Sequence, residues 1–195
     1  LERFCRTCEP PPDRFEVLFA GAVSLRKGIP WLLQAFARLR HPHKRLRIAG
    51  NIAPEIRPVL ARLPCENVEF LGSLPQDRLA ALMSASHVMV LPSIEEGLAL
   101  VQGQALACGC PVIGTDHTGG EDLFRDSIEG FLIPIRSSDA IADRLQRLTD
   151  DPALRQRMSE AALLRVRSVG GWKDYGEQWV ELLRALSCSS PSNVP

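Results

Sequence analysis

The sequence lacks the features that would direct this chain to nucleic acid or into a membrane. Its 195 residues carry no excess charge, because 23 lysines and arginines balance 23 aspartates and glutamates. A neutral chain provides no overall field that attracts nucleic acid or an anionic membrane. No apolar run approaches the ~20 residues that a membrane-spanning helix needs. We therefore expect a cytoplasmic protein with a small-molecule ligand and no nucleic-acid partner.

The cysteines are too sparse for the disulfide scaffold of a small secreted protein. The six cysteines stand at positions 5, 8, 65, 108, 110 and 188. Cys5 and Cys8 have the spacing of half a zinc site, but Cys108 and Cys110 are separated by a single residue and have no nearby histidine. The sequence therefore predicts free thiols and no metal.

Short apolar runs alternate with helical patterns along most of the chain. The apolar runs predict strands at 16–21, 45–50, 67–71, 87–91, 111–114 and 130–133. The helical patterns predict helices at 29–40, 55–62, 76–86, 98–108 and 138–149, then one that starts at 152 and one at 172–186. Such alternation is typical of βαβ units. We predict an α/β fold with a Rossmann-like, open, mostly parallel sheet of about six strands and helices on both faces.

The loop after the first predicted strand, residues 21–28, has the sequence GAVSLRKG. It contains neither the G-x-G-x-x-G fingerprint of dinucleotide-binding oxidoreductases nor the G-x-x-x-x-G-K-[ST] pattern of P-loop proteins. Arg26 and Lys27 stand at the start of a predicted helix, where free backbone amides favour an anion. The loop predicts a phosphate site in outline, with a merely solvated basic pair as the alternative.

The loop after the fourth predicted strand, residues 92–100, has the sequence PSIEEGLAL and leads into a helix. The amides near 97–100 are available to phosphate or sugar oxygens, and Glu96 can accept hydrogen bonds from sugar hydroxyls. Gln104 lies in the following apolar helix, within a polar island that consists of Gln102, Gly103 and Gln104. It is either a ligand-binding residue or an ordinary exposed one.

In order and spacing, these segments resemble the donor-binding domain of glycosyltransferase family 4 over residues 4–186. That family has G-R-L-x-x-x-K-G after the first strand of its C-terminal domain, then P-S-x-x-E-G-x-G, a second glutamate and A-x-G-x-P-V. The counterparts here are 21–28, 92–99, Gln104 and 107–112. The resemblance implies the GT-B fold, in which this half binds a nucleoside-diphosphate sugar.

The resemblance also implies roles for single residues. Lys27 would bind the donor diphosphate, Glu96 the transferred sugar and Gln104 the ribose hydroxyls, with Lys27 and Glu96 as the catalytic residues. The segment that lines the nucleobase pocket corresponds to Phe70, Leu71 and Gly72. The other donor-binding positions are Gly21, Arg26, Gly97, Leu98, Ala99 and Leu100. The family implies no metal and no cofactor apart from the donor itself.

Three positions depart from the family pattern. Ala22 replaces an arginine, Ala99 replaces a glycine and Gln104 replaces the second glutamate. Arg26 is a candidate for the missing charge, because a guanidinium can pair with two phosphate oxygens. Glutamine can still bond a ribose hydroxyl, but it loses the charge assistance that strengthens such a bond. We expect a weakened but working donor site.

The ends of the chain differ from its centre. We interpret 1–15 as an interdomain linker with a proline-rich spacer, 16–170 as the nucleotide-sugar-binding domain and 188–195 as a disordered tail. The predicted helix at 171–187 carries Trp172, Tyr175 and Trp179 on one face. By resemblance this helix would cross to an N-terminal acceptor domain outside the chain, with packing on its own domain as the alternative.

The predicted function is that of the donor-binding half of a retaining glycosyltransferase, inactive when alone and with an unidentified acceptor. The alternative is a non-catalytic nucleotide-sugar-binding module or subunit. The basic stretch 38–47 leaves peripheral membrane contact of the full protein open, although a solvated loop is favoured. His87 begins the fourth predicted strand, away from its ligand-facing end, and is expected to be structural.

Overall fold

The computed structural model describes residues 3–169 and 172–188. Its strands are β1 (Phe15–Ala20), β2 (Lys44–Ala49), β3 (Val68–Gly72), β4 (Val88–Leu91), β5 (Val112–Thr115) and β6 (Gly130–Ile133). They form one sheet in the order β3-β2-β1-β4-β5-β6. Every strand pairing in this sheet is parallel. The predicted α/β, Rossmann-like fold is confirmed.

The helices cover both faces of the sheet. They are α1 (Ile29–Arg38), α2 (Arg57–Leu60), α3 (Gln76–Ser84), α4 (Leu100–Ala107), α5 (Gly120–Leu123), α6 (Ser138–Asp150), α7 (Pro152–Val169) and α8 (Trp172–Cys188). Within the described ranges, none of these helices combines the length and apolar composition needed to cross a bilayer.

The helix predicted at 55–62 is wrong in its extent. A 3-10 turn at Pro54–Ile56 comes first, and α2 follows as a separate short helix. Pro58 lacks the amide that a continuous helix would bond to the Pro54 carbonyl, which explains the division. The helix predicted from residue 98 begins only at Leu100, because Ala99 has non-helical backbone angles. The single turn of α5 was not predicted.

The strand β1 is buried on both faces, as expected for a central strand of a parallel sheet. Val17 and Phe19 face one apolar cluster, which α1 and α6 cover. Leu18 and Ala20 face the other cluster, which includes residues of α3, α4 and α7. Because side chains on both faces of β1 are buried, the second half of the first apolar run contains no polar residue.

The amino ends of the strands are held by polar contacts within the domain. The Glu16 carboxylate is fully buried and lies 2.9 Å from Arg45 Nη2 and 3.2 Å from Arg47 Nε. The Nδ1 atom of His87 accepts a hydrogen bond of 3.0 Å from the Glu16 amide, and its ring stacks on Phe15. Burial, together with the charge of Arg155, lowers the pKa of His87 to about 4. The expected structural role of His87 agrees with these contacts.

The ends of the chain differ in how they pack. Within the predicted linker, Phe4 is buried in the cluster that contains Cys108. The guanidinium of Arg6 donates to the Gly109 carbonyl. In α8, by contrast, the side chains of Tyr175 and Trp179 are 53% and 46% exposed, so they are not buried on the domain. The side chain of Trp172 and the predicted tail from residue 189 lie outside the described residues.

Candidate functional site

The order of the strands reverses between β1 and β4. The chain moves from β1 outward to β2 and β3, then returns to place β4 on the other side of β1. In open parallel sheets, such a switch point opens a crevice at the carboxyl ends of the two strands, where ligands bind. The loops at this crevice are 21–28 and 92–99, which are the two loops with candidate functional residues.

Lys27 and Glu96 meet across this crevice. The Lys27 Nζ atom lies 2.5 Å from Glu96 Oε1, and each side chain is only 14% exposed. Arg26 approaches the same carboxylate oxygen, with its Nη1 atom at 3.3 Å, and donates a 2.7 Å hydrogen bond to the Glu95 carbonyl. Two cations therefore share one carboxylate oxygen in the crevice.

The backbone of the first loop brings the two loops together. Gly28 has φ of 72°, in the left-handed region, and a Cβ atom there would overlap the Pro92 carbonyl. Because the residue has no side chain, the two loops can touch at this point. The Ile94 amide then donates to the Arg26 carbonyl at 2.8 Å. These contacts hold Arg26 and Lys27 against the segment that carries Glu96.

A third loop, residues 116–119 after β5, supports the Glu96 segment and was not predicted as a support. The amide of Glu96 donates to the His117 carbonyl at 2.8 Å, and the amide of Ala99 donates to the Thr118 carbonyl at 3.2 Å. Gln102 is fully buried, and its Nε2 atom donates to the same Thr118 carbonyl. In the sequence, only the glycine pair at 119–120 marks this loop. It predicts a turn, but it does not indicate which segment the turn contacts.

Free amides line the crevice between these supports. In the described part of the chain, Gly97 and Leu98 N–H groups have no backbone acceptor. Gly97 faces open space, and the side chains of Leu98 and Leu100 are 50% and 48% exposed. Neither α1 nor α4 has a capping side chain or an acidic residue in its first turn. The N-terminus of α4 can therefore accept an anion, whereas in α1 Pro30 has no amide N–H and the amides of Gly28 and Trp31 are already bonded.

Four other predicted donor-binding residues lie around this centre. Gly21 directly follows β1, its amide donates to the Ala49 carbonyl, and a Cβ atom added there would lie 3.8 Å from Lys27 Cε. Phe70 and Leu71 are partly buried and pack against the two apolar clusters, so their side chains serve the core. Gly72 ends the edge strand β3, two strands and roughly 10 Å from β1. A Cβ atom added at Gly72 would meet no other atom within 4 Å, so the backbone is accessible there.

Gln104 and Gln102 have different surroundings, although the sequence pattern groups them. Gln104 lies on α4 and is partly exposed. Gln102 is fully buried, and its amide is occupied by Thr118. Gln104 is therefore the member of the polar island that a ligand can reach.

The cysteines do not form a metal site in the described ranges, where no group of three or more potential ligands is arranged to hold an ion. Cys5 and Cys8 are exposed, whereas Cys108 and Cys110 are buried. Burial raises the pKa of the Cys108 thiol to about 11 and raises that of Cys110 as well. These two buried thiols are protonated near neutral pH, which makes them poor nucleophiles.

Comparison with known proteins shows which protein family the chain belongs to. A sequence model of the family described as "Glycosyl transferases group 1" matches residues 6–165. The chain belongs to this family. It is 35% identical over 166 residues to a D-inositol 3-phosphate glycosyltransferase of Streptomyces bingchenggensis, a match that covers 78% of this chain and 36% of that protein. It is 30% identical to the alpha-D-kanosaminyltransferase of Streptomyces kanamyceticus, covering 77% and 40%.

Solved structures have the same fold as this glycosyltransferase domain. Sucrose-phosphate synthase from Thermosynechococcus elongatus matches with a TM-score of 0.81 and 28% identity, covering 95% of this chain and 52% of that one. HepE of Anabaena, solved in complex with UDP, matches with a TM-score of 0.80 and 21% identity, covering 89% and 49%. The chain thus spans less than half the length of the two Streptomyces proteins, and about half the length of these two structures.

Proposed function

We propose that this group 1 domain is the donor-binding half of a retaining, family 4 glycosyltransferase, which transfers a sugar from a nucleoside-diphosphate sugar. The observation that carries the proposal is the convergence of Lys27, Arg26 and Glu96 at the switch point of the sheet. A diphosphate needs cations and amides, and a sugar needs a hydrogen-bond acceptor. The crevice offers both kinds of group within one site.

In this proposal, Lys27 and the amides of Gly97 and Leu98 bind the diphosphate. As the glycosidic bond to phosphate breaks, negative charge grows on the leaving diphosphate, and groups already in place stabilise that charge. The family has an arginine at position 22, where this chain has Ala22. Arg26 supplies this second cation, since its guanidinium already reaches the crevice. The Glu96 carboxylate accepts hydrogen bonds from the sugar hydroxyls. The reaction requires no metal or further cofactor.

The remaining donor contacts are assigned by position. Gln104 on α4 bonds the ribose hydroxyls, and the backbone at the end of β3 around Gly72 contacts the nucleobase. The complexes of HepE with UDP and with UDP-glucose support a nucleotide-sugar ligand for this fold. The D-inositol 3-phosphate glycosyltransferases support sugar transfer by longer proteins with a similar domain.

An N-terminal acceptor domain completes the proposed enzyme. The longer relatives support a second domain, and the exposed face of α8 around Tyr175 and Trp179 supports a contact with it. We place the enzyme in the cytoplasm and assign no membrane contact to residues 38–47. In that stretch, the Lys44 ammonium donates to the carbonyls of Phe36, Ala37 and Leu39, so it is held at the C-terminal end of α1.

A thermal-shift panel tests the donor site directly. The chain is heated with UDP, GDP and ADP, with their sugar conjugates and with the corresponding nucleosides. A ligand that binds only the folded state raises the melting temperature by mass action. We expect one diphosphate series to stabilise the domain more than its nucleoside does. Equal melting temperatures with every compound would contradict the donor site.

A non-catalytic nucleotide-sugar-binding subunit is the second candidate, and one observation favours it. Gln104 stands where the family has a glutamate, so the ribose contact lacks charge assistance. The two candidates differ in sugar transfer once an acceptor domain is present. Nucleotide binding without sugar transfer in a rejoined two-domain protein would favour the binding subunit.

A further inference from the structure

The ion pairs of Glu96 with Lys27 and Arg26 affect which ligands bind in the crevice. We propose that Glu96 competes with the diphosphate for Lys27 and Arg26, and thereby makes the site favour the nucleotide sugar over the nucleoside diphosphate that is released from it. The inference rests on the proposed donor site. It assigns to Glu96 a second role, in discrimination and product release, besides contact with the sugar.

The competition follows from the contacts within the crevice. Glu96 Oε1 lies 2.5 Å from Lys27 Nζ and 3.3 Å from Arg26 Nη1. A phosphate oxygen that approaches either cation brings a second negative charge beside this carboxylate oxygen, so the two anions compete for the same cations. Lys27 and Glu96 are each only 14% exposed, so water and salt screen their attraction less than on an open surface. Binding a diphosphate therefore involves breaking a partly buried ion pair.

The backbone that carries this carboxylate stays in place when the pair breaks. The Glu96 amide is bonded to the His117 carbonyl, and the Arg26 carbonyl accepts from Ile94 in the same segment. The two loops thus stay joined while only the side chains exchange partners. A bound diphosphate would leave Glu96 as a nearby like charge without its former cation, which is unfavourable.

The sugar changes this balance. In a nucleotide sugar, hydroxyl groups donate to Glu96 and replace the cations that the diphosphate has taken. In a free nucleoside diphosphate, no such donor is present, and the carboxylate remains uncompensated. After transfer, re-formation of the ion pair between Glu96 and Lys27 opposes the diphosphate and favours its release. Arg26 is 57% exposed, and its hydrogen bond to the Glu95 carbonyl keeps the guanidinium beside Glu96.

Isothermal titration of single variants measures this competition. Wild type, Glu96→Gln and the control Glu95→Gln are titrated with UDP, GDP and ADP, and with UDP-glucose, GDP-glucose and ADP-glucose. Glu96→Gln keeps the size of the side chain and removes its charge. Glu95 is the exposed neighbouring carboxylate, so Glu95→Gln removes the same charge without touching the pair. We expect Glu96→Gln to bind the diphosphate about fivefold tighter, a gain that is typical of a removed charge interaction, and to lose preference for the sugar conjugate.

A double-mutant cycle shows whether the effect passes through Lys27. In a Lys27→Ala background, the same Glu96→Gln change should give a smaller gain, because the principal cation is absent. A Glu95→Gln gain as large as that of Glu96→Gln would overturn the proposal, since it would reflect general charge. The proposal would also be overturned if Glu96→Gln bound the diphosphate no more tightly than wild type does. The donor site itself would stand in that case. If folded wild type and Glu96→Gln both bind no nucleotide, the donor site and this inference are overturned together.

Discussion

The Lys27 ammonium and the Glu96 carboxylate, from loops after different strands, lie 2.5 Å apart in a crevice that leaves each 14% exposed. Their meeting depends on the position of β4 beside β1, and on the absence of a side chain at Gly28. Substitutions at and around this pair test whether the crevice binds a donor, whether the protein transfers the sugar, and whether the crevice prefers the nucleotide sugar to the nucleoside diphosphate.

Lys27→Ala should weaken binding of a nucleoside diphosphate and leave nucleoside binding nearly unchanged, because the lysine is assigned to phosphate alone. Loss of a charged hydrogen bond should cost about 1.5 to 3 kcal/mol, measured by calorimetry. Arg38→Ala is the control, since it removes an exposed cation that pairs with Asp139 elsewhere on the domain. Equal weakening of nucleoside and diphosphate would contradict the assignment.

Gln104→Glu should tighten binding of ribose-containing ligands by roughly 1 kcal/mol, because a carboxylate forms the stronger, charge-assisted bond with the diol. The 2′,3′-dideoxy analogue of the same nucleotide should gain nothing. Gln102→Glu is an instructive comparison, since its side chain is buried against Thr118 and should affect stability instead. Equal gains with both nucleotides would remove Gln104 from the site.

The chain should bind a nucleotide sugar but transfer nothing when it is assayed alone. Proximity and orientation of two substrates account for ~7 to 11 kcal/mol of barrier reduction, and a half-site positions only one. Joined to an acceptor domain, the protein should gain turnover, measured by release of nucleoside diphosphate in the presence of acceptor. In that protein, Glu96→Ala should impair transfer without weakening diphosphate binding. Efficient transfer by the present chain would overturn the half-enzyme proposal.

Gly28→Ala should destabilise the domain and weaken diphosphate binding. Its φ of 72° disfavours any side chain, and the added methyl group would overlap the Pro92 carbonyl. We expect a loss of about 1 to 3 kcal/mol in the free energy of unfolding, measured by denaturant titration. Gly97→Ala is the matched control for stability, because a Cβ there meets no atom and the backbone has no positive φ. Similar losses in both variants would argue against the close contact of the loops.

His87 should make the domain sensitive to acid. Burial lowers the pKa of His87 from 6.5 to about 4, so the folded state favours the neutral ring. The resulting stability is fully present above pH 6.5 and is lost as the pH falls from 6.5 towards 4, because the unfolded state takes up a proton first. The slope is at most ~1.4 kcal/mol per pH unit.

Urea titrations at several pH values should show a smaller slope in His87→Gln than in wild type. His117→Gln, which removes an exposed imidazole, should retain the wild-type slope. An unchanged slope in His87→Gln would mean that the buried ring contributes nothing to the acid sensitivity.

Much of the fold could be read from local patterns. The six predicted strands coincide with β1 to β6 to within one or two residues, since an apolar run between turn residues is a local property. The errors arose where a local rule was overlooked or was too weak. Pro58 divides the second predicted helix, and the single turn α5 has no periodicity from which to predict it.

The candidate site was only partly predictable. Lys27, Arg26 and Glu96 belong to loops that the sequence marks as functional, and the structure brings all three together. Phe70 and Leu71 were assigned to the nucleobase pocket by resemblance, and that assignment stays a prediction; their partly buried side chains pack against the two apolar clusters. The supporting contacts from His117 and Thr118 escaped prediction, because backbone carbonyls leave no residue-specific signal in a sequence.

The sequence by itself determined the α/β class, the places of the strands and the kinds of side chain in the two loops, because each depends on neighbouring residues. Only the tertiary structure decided that β4 lies beside β1, that Glu96 pairs with Lys27 and that Gln102 is occupied while Gln104 is reachable. Those relationships depend on packing between segments that are distant in the chain. Their energies come from burial and from charges brought together, and neither exists until the sheet has formed.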